Sequence, residues 1–243
     1  MVKGSGRRIA FLHGFTQNQR CWGPLLWELA NEHEIVAVDA PGHGESGHDR
    51  ADLWEAARLV GETVGPAIYV GYSMGGRTAL HLALAHPELV EGLVLIGATA
   101  GLVEESDRHQ RRQADDKLAS RLLDVGLEDF LDEWLAGPLF ASLSSEATCR
   151  PERLTNRAEG LAASLRQCGT GSQDPLWERL HELTMPVLAI AGADDAKFSA
   201  LADRMVSAIG ANGSRHVEPG GHAVHLEQPK AIAAVIRRFA SPS

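Results

Sequence analysis

Three cysteines in 243 residues, Cys21, Cys149 and Cys168, are too few and too widely spaced for a disulfide framework, which points to a reducing compartment. No stretch approaches the ~18 consecutive apolar residues of a membrane span, and the first apolar run, Ile9 to Leu12, is far shorter than a signal-peptide core. A cytoplasmic protein is expected. Positive charge is scarce too: 23 Lys and Arg stand against 32 Asp and Glu, a formal charge of −9. Nucleic acids and anionic membrane surfaces call for a basic face, so neither is expected as a partner. An anionic small molecule remains open, because a local group of arginines can act against the global sign. No His-x-x-x-His pair or Cys cluster stands at ligand spacing, so neither a metal nor an organic cofactor is expected. Gly (25) and Pro (11) are near ordinary usage, which argues against disorder and fibrous repeats. What is present is 44% apolar residues, enough for one substantial core.

Short apolar runs alternate with helical patterns. Ile9 to Leu12, Ile35 to Val38, Ala67 to Val70 and Gly92 to Ile96 are expected as buried strands. Between them, apolar residues from Trp22 to Ala30, from Leu53 to Val64 and from Ser73 to about Ala85 recur at helical spacing. After Ala98 the rhythm stops, and residues 99–180 show only helical patterns and loops. It returns with strand Val187 to Ala191, a helix near Ala200 to Ile209, a short strand Arg215 to Val217 and a helix from Pro229 to Phe239. The pattern predicts an α/β fold with a mostly parallel sheet of about six or seven strands. Residues 1–98 and 181–243 form its core, and residues 99–180 are a helical lid inserted after the fourth readable strand. A monomer or weak homo-oligomer is expected.

Gly71-Tyr72-Ser73-Met74-Gly75 fits Gly-x-Ser-x-Gly directly after a strand and before a helix, where a sharp turn lifts the serine to the helix N-terminus. Outside such a context the motif is often only a glycine-rich turn. A serine hydroxyl needs a histidine to take its proton and an acid to orient that histidine, in the chain order Ser, Asp or Glu, His. His222 follows Gly220-Gly221 after the last strand, with His225 as its nearest rival. Asp194 and Asp195 both follow strand Val187 to Ala191, and spacing leaves the choice between them open. The Phe15 amide, after His13-Gly14, and the Met74 amide can supply an oxyanion hole. Arg77, one helical turn past Ser73, is expected to face the same pocket.

His13-Gly14-Phe15, the run Asp39 to Ser46, Gly71 to Gly76 and Gly221-His222 resemble the α/β-hydrolase superfamily over essentially the whole chain. A narrower resemblance is to the 2-succinyl-6-hydroxy-2,4-cyclohexadiene-1-carboxylate synthases of menaquinone biosynthesis. It rests on Gly71 to Arg77, Arg111-Arg112, Trp134 with Pro138 to Ser142, Asn156 with Gly160 to Ala162, and Ser164 to Arg166. Gly169 to Gln173, Leu176-Trp177 and Asp195 to Phe198 complete it. Ala196 departs from the family, where Ser is more usual.

That resemblance implies a lyase that eliminates pyruvate from 2-succinyl-5-enolpyruvyl-6-hydroxy-3-cyclohexene-1-carboxylate, with Ser73 as base and Asp195 as the acid. It also implies a polycarboxylate-binding pocket with Arg77 and Arg111 as anion partners and Tyr72, Trp134 and Phe140 as an aromatic wall. More ordinary roles exist for each: Arg77 in a salt bridge, Arg111 on a solvated helix face, the aromatics in the lid core. The alternative function is a serine hydrolase of the same fold acting on carboxylic esters or C–C bonds. A small-molecule receptor on the same scaffold is a third reading, against which the complete proton relay speaks.

Overall fold

The computed structural model describes residues 6–241, so the first five and last two residues of the expected core segments lie outside the described residues. The described strands are β1 (Arg8–Leu12), β2 (Glu34–Val38), β3 (Ala67–Tyr72), β4 (Val90–Ile96), β5 (Val187–Gly192) and β6 (Gly213–Glu218). They form one sheet in the order β2-β1-β3-β4-β5-β6, every neighbouring pair parallel. Parallel neighbours need crossovers, and here helices supply them: α1 (Gly23–Leu29), α2 (Leu53–Val64), α3 (Met74–Ala85) and, between β5 and β6, α8 (Ala196–Ile209).

The two-residue alternation of β1 shows how the sheet is sandwiched. Ile9 and Phe11 pack with Trp22, Leu25 and Leu29 on one face, together with Ile232 and Ile236 of α10 (Pro229–Ala240), which follows the short α9 (Val224–Glu227). Ala10 and Leu12 point the other way, to Val60, Leu80 and Met205. Each fully buried Leu or Ile side chain stabilises this arrangement by about 1.5–3 kcal/mol. β6 is the sheet edge, and its Ser214, Arg215 and Val217 are exposed.

Between β4 and β5 lie α4 (Glu105–Val125), α5 (Leu127–Leu135), α6 (Arg150–Arg153) and α7 (Ala158–Cys168). α4, α5 and α7 share a small core of their own, with Leu122, Phe130, Leu161 and Leu165 buried together. α4 is polar almost all round and buries only Asp115, Ala119 and Leu122. Pairs such as Arg108–Glu105 and Arg121–Glu133 lace its surface. No described helix is long and apolar enough to cross a membrane.

Candidate active site

The C-terminal ends of β1, β3, β5 and β6 converge under the lid helices, where open parallel sheets place their ligands. Ser73 follows β3 directly, with φ 49° and ψ −106°, a conformation that a side-chain-bearing residue adopts only at a cost. Its amide donates to Ile96 O at 2.8 Å. The turn closes because its flanks lack side chains: a Cβ on Gly71 would stand 2.4 Å from Gly75 O, and one on Gly75 would stand 2.1 Å from Leu12 O.

His222 bridges the serine and an acid. Its Nδ1 lies 2.7 Å from Asp195 Oδ2, and its Nε2 lies 3.4 Å from Ser73 Oγ. The other oxygen of Asp195 accepts the Phe198 amide at 3.2 Å and caps α8. Burial works to raise the Asp195 pKa, but the bonds from His222 and Phe198 and the nearby Lys197 charge outweigh it, holding it below the ordinary carboxylate value. Asp194 is exposed, and its amide donates to Gly220 O. The structure therefore brings Asp195, and not Asp194, to the histidine. His225 lies behind the site, with its ring 4.1 Å from Tyr72 and 4.7 Å from Trp22.

The β1 loop supplies the second half of the site. Among the described residues neither the Phe15 nor the Met74 amide donates to an acceptor, and both residues line the cavity above Ser73. His13 Nε2 accepts the Ala40 amide at 3.0 Å, so its Nδ1 carries the proton and donates to Gly14 O at 2.9 Å. Burial lowers the His13 pKa and keeps that tautomer neutral. The lid segment also grips this loop. Asn156 Nδ2 donates to Thr16 O at 2.7 Å, and Arg153 donates to Thr16 Oγ1 and, at 3.4 Å, to Phe15 O.

The cavity measures about 170 Å³, and Arg77, Arg111, Trp134 and Lys197 stand in its wall. Arg77 is buried, donates to Cys168 O at 2.6 Å, and is lowered by burial to about 10, which still leaves it charged at neutral pH. Arg111 Nε pairs with Asp115 Oδ1 at 2.8 Å. Three cationic side chains thus line a small space under a net acidic surface.

Two members of the expected aromatic wall do not face this cavity. Tyr72 is the last residue of β3, and the strand alternation turns it to the α1 and α10 layer with Ile68 and Val70, where it is 3% exposed beneath His222. Phe140 packs behind Trp134, ring centroids 5.8 Å apart, while its neighbour Leu139 lines the cavity. Lys197 lines the cavity, and Arg153 and Asn156 bond to the loop that carries Phe15; the sequence assigns none of the three a role. Lys197 and Asn156 sit inside the segments that carry the family resemblance; Arg153 has no sequence signal at all.

A model of the alpha/beta hydrolase family matches residues 9–235. A Bacillus subtilis (strain 168) protein, a candidate 2-succinyl-6-hydroxy-2,4-cyclohexadiene-1-carboxylate synthase, is 35% identical over 95% of this chain and 89% of its own. The 2-succinyl-6-hydroxy-2,4-cyclohexadiene-1-carboxylate synthase of Enterobacter sp. (strain 638) is 32% identical over 95% of this chain and 90% of its own. Among solved structures, MenH from S. aureus superposes with a TM-score of 0.89 at 31% identity, covering 96% of this chain and 92% of that one. A thermophilic esterase from Thermogutta terrifontis has a TM-score of 0.81 at 24% identity over 98% of this chain and 90% of its own, a likeness of fold. The chain is an enzyme of the alpha/beta hydrolase family.

Proposed function

We propose that this enzyme is a 2-succinyl-6-hydroxy-2,4-cyclohexadiene-1-carboxylate synthase, a lyase that eliminates pyruvate from 2-succinyl-5-enolpyruvyl-6-hydroxy-3-cyclohexene-1-carboxylate. The observation that carries the reading is the placement of Arg77, Arg111 and Lys197 around the mouth of a Ser-His-Asp relay. A neutral ester needs no such cations. A substrate with three carboxylates does, and guanidinium groups hold carboxylates in two-point contacts. The sequence likeness to the synthases over nearly the full chain supports the same substrate.

The chemistry follows from the two compounds. Going from a 3-ene bearing a 5-enolpyruvyl ether to a 2,4-diene removes a proton from C2 and breaks the C5–O bond. C2 is next to the succinyl ketone, so its proton is acidic once the ketone oxygen is stabilised. Ser73 Oγ, made basic by proton transfer toward His222, takes that proton, and Asp195 supports the imidazolium. The Phe15 and Met74 amides receive the enolate oxygen. The electron pair then moves through the ring and expels the pyruvyl oxygen, and the proton ends on the methylene carbon of the leaving enolpyruvate, giving pyruvate. No acyl group is transferred, so Ser73 is never esterified.

The test couples pyruvate release to lactate dehydrogenase, using freshly made substrate, beside short-chain nitrophenyl esters and intact-protein mass spectrometry. Pyruvate release without an adduct on Ser73, with poor ester turnover, is the expected result. An acyl-serine adduct from a good ester, with no pyruvate release, overturns the lyase and leaves the hydrolase.

A further inference from the structure

Arg153 is fully buried, at 0% exposure, yet no carboxylate pairs with it among the described residues. Its Nε donates to Thr148 O at 2.7 Å, and its Nη2 has no partner. A buried cation without a counter-anion is costly, so an anion is to be sought nearby. The Arg153 charge acts on two thiols that the elimination does not use, Cys21 and Cys149. Cys21 sits on the 3₁₀ turn Gln19–Trp22 after β1, and Cys149 stands immediately before α6 in the lid segment.

These residues, 128 apart in sequence, meet: Cys149 Sγ donates to Cys21 O at 3.6 Å, while Cys21 Sγ faces Asn18 Oδ1 at 4.0 Å. The neighbouring Cys21 side chain and the Arg153 charge lower the Cys149 pKa against the opposing effect of burial, whereas the neighbouring Cys149 and burial raise that of Cys21. The pair is thus unequal, with Cys149 the more acidic thiol. Cys149 also has φ 55°, one of three non-glycine residues with positive φ among the described residues; the other two are Ser73 and Thr16, the residue after Phe15. Both sulfur-bearing residues line a cavity of about 350 Å³ that also meets Trp22 and His225, distinct from the cavity over Ser73, so a small reagent has a route to them.

We propose that Cys149 and Cys21 form a thiol modification site at which a hydroperoxide oxidises Cys149 and Cys21 resolves it to an intramolecular disulfide. The Cys149 thiolate attacks the distal peroxide oxygen, the O–O bond breaks, and the alkoxide or hydroxide leaves and takes up a proton. Cys149 is now a sulfenic acid. The Cys21 sulfur then attacks the Cys149 sulfur, the S–OH bond breaks, and hydroxide leaves with the Cys21 proton as water. Two thiols are oxidised for one hydroperoxide reduced. Closure ties the lid segment to the β1 side of the core and removes the thiolate from Arg153, the residue that holds the Phe15 loop.

The test treats the reduced full-length protein with limiting hydrogen peroxide at pH 7, then counts thiols and maps peptides by mass. Loss of two hydrogens, a Cys21–Cys149 crosslinked peptide and an intact Cys168 are expected. Cys168 is a built-in control, since burial pushes its thiol up to about 11. Cys149→Ser should slow thiol loss about tenfold or more. Cys21→Ser should leave a sulfenic acid on Cys149 that dimedone traps. Oxidation of Cys149→Ser as fast as the parent, or conversion of Cys149 to sulfinic acid with Cys21 still free, overturns the proposal. If a variant does not fold, the crosslinked peptide from the unaltered protein decides, and its absence under limiting peroxide overturns it as well.

Discussion

Asp195 receives His222 Nδ1 at 2.7 Å through one carboxylate oxygen while the other caps α8, so the acid that orients the histidine is itself fixed by a helix start. Asp195→Asn keeps an oxygen for the Phe198 amide but loses the anion that sets the tautomer of His222. Turnover should fall by about a thousandfold or more with little change in thermal midpoint. Asp194→Asn, at an exposed carboxylate, should stay within about twofold of the parent. Steady-state kinetics beside thermal melts check this, and equal losses at the two positions would remove Asp195 from the relay.

A relay of Ser73, His222 and Asp195, as proposed, would act as one unit, which fixes how its members should combine. Ser73→Ala and His222→Ala should each remove most of kcat, by about a thousandfold or more, and the double variant should be scarcely worse than either. Kinetics of all three variants on the same substrate make the comparison. A double loss equal to the product of the single losses would mean that the two residues work independently.

How much of this was legible in the sequence differs from residue to residue. β3 was plain as far as Val70, because a strand buried on both faces is a continuous apolar run; its last two residues run on into the motif that turns at Ser73. The edge strand β6 was visible only at Arg215 to Val217, since an edge carries polar side chains and loses the apolar signal. α8 begins at Ala196, about four residues ahead of its apolar pattern, because its start is set by the Asp195 cap and not by periodicity. Ser73, His222 and Asp195 were nameable because motif order and likeness point to them. The inward turn of Tyr72 and the swap of Phe140 for Leu139 depend on which face of the backbone meets the cavity, and spacing alone does not report that. The grip of Arg153 on the Phe15 loop joins residues 138 apart in the chain, beyond any local pattern.

Arginines in the cavity wall predict a selective binding defect. Arg77→Ala and Arg111→Ala should each raise KM for the polycarboxylate about 10- to 100-fold, the equivalent of about 1.5–3 kcal/mol of charge-assisted hydrogen bonding. Nitrophenyl esters without carboxylates should barely respond. Arg111→Ala should also lower stability, because Asp115, 3% exposed with its Oδ2 unpartnered, loses its ion-pair partner. Parallel kinetics on both substrate types separate the two effects, and equal losses on esters would mean that the arginines support the fold and not the substrate.

Buried neutral histidines predict that stability falls on mild acidification. Burial is the main cause that lowers His81 to about 4 and holds His13, His43 and His225 below the ordinary value. The unfolded chain therefore binds more protons below about pH 6.5. Stability from these groups is fully present above that pH and is lost as pH falls toward the folded-state values. His81 alone should contribute on the order of 3 kcal/mol between pH 6.5 and 4, at about 1.36 kcal/mol per pKa unit. Urea unfolding at pH 7.5 and pH 4.5 should show the fall, and His81→Gln should reduce it. A midpoint unchanged over that range would show that these histidines titrate normally in the folded state.

Asn156 tests whether the lid positions the oxyanion donors. Its Nδ2 bonds Thr16 O at 2.7 Å and Arg153 O at 3.0 Å, and its Oδ1 accepts the Gly44 amide at 2.7 Å, so one side chain ties the Phe15 loop to the loop after β2. Asn156→Ala leaves the half-buried Gly44 amide and the buried Thr16 carbonyl unpaired and should cost about 1–3 kcal/mol of stability. It also frees the Phe15 amide to drift from the position where the enolate oxygen forms. An amide that is present but misplaced stabilises the transition state less while leaving ground-state contacts to the arginines intact. The expected signature is therefore a kcat loss of about 10- to 100-fold with KM nearly unchanged, measured well below the melting range. A KM increase with unchanged kcat would instead make Asn156 a determinant of substrate binding and separate the lid's grip from the oxyanion hole.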